Sequence, residues 1–156
     1  MSGSEQNVVW SGKGFVRDYT DLLAFRINFQ LSQEIFEATK SFPKEEMYAL
    51  TDQFRRATRS VGANIAEAWG KRRYEKHFVS KLTDADGERL ETQHWLRTSY
   101  SCRYIGKSQA EKMNEKLLEI GRLLNGMIEK SSAFVITDGR LREDPAIDEF
   151  FQHHPI

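Results

Sequence analysis

From about Asp18 to Ser131, apolar residues recur every third and fourth position, the period of a helix buried along one side. The clearest run is Met47, Leu50, Phe54, Ala57, Val61, Ile65 and Ala68. It predicts a helix that opens at Pro43, where a missing N–H does no harm in the first turn, and stops near Gly70. Glu45 and Glu46 suit the positive end of its dipole. Roughly 27 residues of such a helix would span about 40 Å.

A preceding helix is predicted to start at Asp18 or Thr20, either of which can cap it, and to end before Pro43. It carries two apolar stripes. Leu22, Phe25, Phe29 and Phe36 form one, and Ala24, Ile27, Leu31, Ile35, Ala38 and Phe42 the other, with only Asp21, Asn28, Ser32 and Thr39 between them. The apolar arc is about 220° wide, against about 100° for a surface helix. One stripe can face the chain's own core. The second stripe, Ala24 to Phe42, is expected to meet another copy of the chain, which makes a homo-oligomer the expectation.

A third helix is predicted from about Tyr74 to Ile105, with Phe78, Leu82, Ala85, Leu96 and Tyr100 inward and Arg89 and Thr92 interrupting the seam; Gly106 should end it. A fourth follows, opened by a Ser108-x-x-Glu111 capping box and seamed by Met113, Leu117, Ile120, Leu124 and Met127. Gly121 and Gly126 in that helix suggest close approach of a neighbour. Short links between long helices imply antiparallel neighbours, so the fold class is all-α, an up-down-up-down four-helix bundle over residues 17–131. Residues 1–16, rich in Ser and Gly around Val8, Val9 and Trp10, read as a flexible leader. Residues 132–156 read as an extended C-terminal tail that packs on the bundle or on a neighbour and carries Phe134, Phe150, Phe151, His153 and His154.

Composition narrows the function classes. The 156 residues are 39% hydrophobic and 29% charged, which suits one globular domain. Lys plus Arg equals Asp plus Glu, at 23 each, so no global field favours nucleic acid. One cysteine, Cys102, excludes an internal disulfide and fits a cytoplasmic protein, where it reads as a packing residue. No apolar run is long enough for a membrane helix.

Catalytic motifs are thin. Glu91-x-x-His94 matches half of a di-metal bundle site, but Tyr74 stands three before the other helical histidine, His77, so the second half is missing. Gly12-Lys13-Gly14 lacks the phosphate-loop spacing, and no nucleophile elbow surrounds Cys102 or any serine. Neither an enzyme nor a cofactor is expected. The stronger signal is charge: from Arg55 to Arg73, six cations stand against the single Glu67, a local net of +5. Arg55, Arg59, Lys71, Arg72, Arg73 and Lys76 are the candidates for contacting phosphates of RNA or DNA, with Trp69 and Tyr74 as stacking partners. Arg56, Asn64, Glu67, Glu88 and Glu91, together with Asp84, read instead as a structural polar network between the second and third helices.

Two stretches carry a resemblance. FPKEEMYALTDQFRRATRSVGANIAEAWGKRRY (residues 42–74) resembles the signature of the rRNA intervening-sequence proteins of bacteria, and KLTDADGERLETQHWLRTSYSCRYI (residues 81–105) resembles the third-helix signature of one branch. The similarity spans about Arg17 to Phe134. It implies an antiparallel four-helix bundle that assembles as a ring-like homopentamer. It also implies kinship with the accessory protein of diversity-generating retroelements, which binds a reverse transcriptase and nucleic acid. Arg56, Asn64, Ala66, Glu67 and Glu91 match signature positions, and no catalytic residue is implied. Ala68 and Ala85-Asp86 depart from glycine-containing positions of many members and place the chain in a branch. The sequence thus points to a cytoplasmic, non-enzymatic homo-oligomer, either a nucleic-acid-associated accessory protein or a scaffold for another protein.

Overall fold

The computed structural model describes residues 16–136. Four long helices make up this region: α1 (Leu23–Thr39), α2 (Asp52–Gly70), α3 (Glu75–Ser101) and α4 (Lys107–Glu129). Short helical turns flank them, and there is no β-strand among the described residues. The helices form a bundle in which α1 packs on α2 and α4, and α3 packs on the same two from the opposite side. Trp10, Phe150, Phe151, His153 and His154 lie outside the described residues.

Asp18 caps a 3-10 turn, Tyr19–Asp21, rather than α1 itself, and Asp21 answers its backbone N–H to complete a capping box. Pro43 follows the end of α1 by four residues and opens a second 3-10 turn, Lys44–Glu46. A wide π-turn, Met47–Thr51, then leads into α2, so the helical path does begin just after Pro43 but reaches α geometry only at Asp52. The exposed Met47 lies outside the core that was expected to include it.

The core is built from Leu31 and Ile35 of α1, Phe54, Val61 and Ile65 of α2, Phe78 and Leu82 of α3, and Leu117, Ile120 and Leu124 of α4, all completely buried. This corrects the reading of α1. Ala24, Leu31, Ile35 and Phe42, expected to meet another subunit, are buried in the chain's own core, and Ile27 and Ala38 pack against it. The polar residues between the stripes, Asn28, Ser32 and Thr39, are buried as well. They can be buried because each finds a carbonyl: Ser32 Oγ donates to Phe29 O (2.8 Å), Thr39 Oγ1 to Ile35 O (2.8 Å) and Asn28 Nδ2 to Thr58 O on α2 (3.0 Å). The wide arc is therefore filled by one bundle, and the aromatic left outside is Phe29, 56% exposed.

Arg89 and Thr92, which looked like interruptions of the α3 seam, are on it and buried. Thr92 Oγ1 donates to Glu88 O (2.8 Å). Arg89 is only 8% exposed; its Nε donates to Asp86 (2.7 Å), and the guanidinium lies over Gly121 of α4. A Cβ at Gly121 would come within 2.7 Å of Arg89 Cζ, so this glycine does mark a close approach, of a charged side chain. The α3–α4 link also differs from expectation. Arg103 takes the left-handed conformation (φ 64°) and Gly106 is the N-cap of α4, which has no Ser108 capping box. Cys102 is exposed rather than packed, and so is Tyr100. After α4, the turn Ser131–Phe134 brings the Phe134 ring onto Phe78 (5.4 Å), and Ile136 N–H donates to Arg72 O (3.1 Å). The first residues of the tail thus pack on the bundle beside the α2–α3 link.

Candidate nucleic-acid interface

The basic stretch divides into two regions along α2. At its middle, Asp52, Arg55, Arg56, Arg59, Ser60 and Ala63 line an open groove of about 500 Å³. The turn spacing of residues 52, 55, 56, 59, 60 and 63 sets these side chains in one row opposite the Phe54, Val61 and Ile65 seam. Arg55 is tied to α1: its Nε donates to Thr39 Oγ1 (2.7 Å), and its guanidinium lies over the Phe36 ring (4.7 Å). Arg59 approaches the same ring (5.6 Å). Neither Arg55 nor Arg59 forms an ion pair with a carboxylate among the described residues. Both therefore keep guanidinium donors that no carboxylate of the described residues takes up, held in place by an aromatic face. Arg56 leans the other way, towards Glu91 of α3 (3.6 Å) and Gln53 (3.1 Å).

The second region is the α2–α3 link, where the candidates are less available. Lys71 pairs with Glu67 (3.1 Å). Arg72 stacks on Trp69 (3.4 Å), and its Nε donates to Trp69 O (2.7 Å). Trp69 is buried, so it offers no face to a base, which corrects its proposed stacking role. Tyr74, Arg73 and Lys76 are exposed. The structure thus does not bring the six cations into one patch, since the groove and the link are separated by more than two helical turns.

The polar network is partly as expected. Arg56 and Glu91 do join α2 to α3, and Glu91 also accepts from Trp95 Nε1 (3.3 Å). Glu67 reaches α3 through Lys81 (3.3 Å), a residue that sequence reasoning missed although its i,i+3 partner Asp84 was in view. Hydrogen bonds from Lys71 and Lys81 hold the Glu67 carboxyl below the usual range, and Glu67 and Asp84 in turn raise the Lys81 ammonium. Asn64 does not reach α3; its Nδ2 donates back to Ser60 O (2.9 Å). Glu88 has a buried Oε2 without a hydrogen bond in the structure. Burial, reinforced by the neighbouring Glu91, raises its carboxyl above the usual range despite the opposing pull of Arg56. Among the described residues, no group of three or more His, Cys, Asp and Glu is placed to hold a metal ion, and no helix is long and apolar enough to cross a membrane.

The model of the 23S rRNA-intervening sequence proteins matches residues 20–126. The chain belongs to this family. A similar solved structure is that of a protein of unknown function from the S23 ribosomal protein family of Bacteroides thetaiotaomicron VPI-5482. It is 29% identical, with a TM-score of 0.63, and the alignment covers 69% of this chain and 96% of that one. No curated protein matches the chain. The family match spans all but the last three residues of α4 and takes in the groove, the α2–α3 link and the Arg56–Glu91 and Glu67–Lys81 contacts.

Proposed function

We propose that this intervening-sequence family member is a non-enzymatic, nucleic-acid-associated accessory protein that works as a cytoplasmic homo-oligomer. The observation carrying the reading is the α2 groove, where Arg55 and Arg59 have no carboxylate partner among the described residues and share the Phe36 face. Phosphates are bound by such guanidinium donors, which the Phe36 ring here holds in place. Arg73 and Lys76 extend the contact along the strand, while Lys71 and Arg72 serve mainly to shape the link. The partner is RNA or DNA, alone or with a nucleic-acid enzyme such as a reverse transcriptase, as the resemblance implies.

The bundle is read as antiparallel and up-down-up-down. Support comes from residue pairs whose numbers run in opposite directions: Asn28 with Thr58 and Thr39 with Arg55, then Arg56 with Glu91 and Glu67 with Lys81. Arg89 with Leu117 and Gln93 with Asn114 repeat the pattern between α3 and α4. Self-association, to the pentamer of the resemblance, is assigned to the outer α3–α4 face, because the α1 stripe is spent inside the chain. Leu90, Tyr100 and Leu118 are 51%, 47% and 49% exposed there. That leaves the α1–α2 face open to nucleic acid.

Fluorescence anisotropy with a labelled single-stranded RNA and a DNA duplex tests the reading. Binding should weaken steeply with salt, and Arg55→Gln/Arg59→Gln should lower the log–log salt slope by about 2, one for each cation removed. No binding to either probe at low salt overturns the reading. A scaffold for a protein partner then becomes the better account.

A further inference from the structure

The groove on α2 is the kind of site that also takes an acidic, aromatic peptide, and this chain carries one. Residues 143–151 include Glu143, Asp144, Asp148 and Glu149 together with Ile147, Phe150 and Phe151, and no Lys or Arg follows Arg142. We propose that this C-terminal segment docks in cis in the Arg55–Arg59 groove and competes there with nucleic acid. The inference rests on reading the groove as an anion site, and it gives that site a built-in regulator.

Charge, chemistry and reach support it. Carboxylates meet guanidinium groups in the same paired hydrogen bonds as phosphates do, and Phe150 and Phe151 would offer ring faces where a nucleotide offers bases. Within the groove lining, only Asp52 opposes the incoming charge. The exposed Phe29 of α1, which lines an adjoining pocket together with Arg59 and Ala63, supplies an apolar surface beside the groove for the aromatic pair. The tail leaves the described structure at Ile136, which is hydrogen-bonded to Arg72 at the end of α2. From Arg72 back to Arg59 is about 20 Å at the rise of an α-helix. Residues 137–147, when extended, reach about 36 Å. The segment can therefore return along α2 with slack. Short tethers give effective concentrations on the order of millimolar, so a weak contact suffices to occupy the groove most of the time.

The full-length chain tests this without nucleic acid. With Phe150 replaced by the photo-crosslinker p-benzoylphenylalanine, irradiation should yield crosslinks within one chain to residues 52–63 of α2 or to the Phe36 region of α1. Mixing isotopically light and heavy chains shows whether the link is intramolecular. The crosslink should vanish in Arg55→Gln/Arg59→Gln. Crosslinks that fall elsewhere, or that form only between chains, overturn the proposal. Binding of a labelled single-stranded RNA supplies the competition arm: Glu143→Gln/Asp144→Asn/Asp148→Asn/Glu149→Gln should bind about 3–10-fold tighter than the unaltered chain. Phe150→Ala/Phe151→Ala, which leaves the charge unchanged, should also bind tighter. If only the charge variant gains affinity, general electrostatics explains the result and masking is overturned. If the crosslink forms but no variant binds RNA or DNA at low salt, the tail does dock in the groove, and what falls is the nucleic-acid reading.

Discussion

Gly121→Ala is a mutation that ordinary helix chemistry would favour and that this structure opposes. In a helix interior, alanine is better than glycine by about 1 kcal/mol, because glycine loses more backbone freedom on folding. The new Cβ, however, would lie 2.7 Å from Arg89 Cζ, 2.8 Å from Nε and 3.1 Å from Nη1. The end of an arginine side chain normally moves aside at little cost. Here it is buried against α4, and Nε is committed to Asp86 at 2.7 Å. Moving it strains or breaks a charge-assisted hydrogen bond worth about 1.5–3 kcal/mol. The net expectation is a loss of about 0.5–2 kcal/mol, or about 2–8 °C in Tm for a domain of this size. Thermal unfolding followed by circular dichroism reads it. Arg89→Met alone leaves Asp86, 23% exposed, without its cation and should itself cost stability. Arg89→Met should also remove most of the penalty of Gly121→Ala, giving a coupling of about 1 kcal/mol or more in a double-mutant cycle. If Gly121→Ala is neutral or stabilising and shows no coupling to Arg89, the account of the α3–α4 contact is wrong.

Other predictions follow from the same contacts. Gly62→Ala, whose Cβ would meet Asn28 Nδ2 at 3.3 Å and Phe25 at 3.6 Å, should change stability by no more than about 1 kcal/mol in a urea melt, because the crowding and the helix gain nearly cancel. Glu88 has a raised folded pKa, so the folded state holds its proton more tightly; its contribution is complete at acid pH and is lost as pH rises through that folded value. Glu88→Gln should therefore match the unaltered protein at acid pH and exceed it in Tm at neutral pH. Glu67 is the reverse case: its lowered pKa adds stability above the ordinary glutamate range that is lost as pH falls through the folded value, so Glu67→Gln should flatten the acid limb of a pH–Tm curve. Leu90→Glu/Leu118→Glu should shift the sedimentation coefficient to that of a monomer without loss of helical signal; an unchanged assembly would move the interface elsewhere.

Helix number and rough extent were legible because burial repeats every three or four positions, and the α2 seam from Phe54 to Ala68 is such a repeat. The side of α1 that faces inward was not. Its two stripes are similarly apolar, and the buried face is centred on Asn28, Ser32 and Thr39, polar residues whose carbonyl partners appear only in the folded backbone. Arg89 was misread for a related reason: a charged residue on a seam looks like a break until the glycine that makes room for it is placed opposite. The arginines of the groove were visible as a charge cluster. The placing of Arg55 and Arg59 depends on Phe36 and Thr39 of another helix, and the availability of Lys71 on its pairing with Glu67, and neither can be read from net charge.

The proposed role of Arg55 and Arg59 is that of an anion site for nucleic acid. The direct test is the salt dependence of RNA binding by the full-length chain and by Arg55→Gln/Arg59→Gln, measured side by side by anisotropy. The unaltered chain should show a steep salt slope, and the variant one shallower by about 2. Equal slopes, or no binding at low salt, would contradict it.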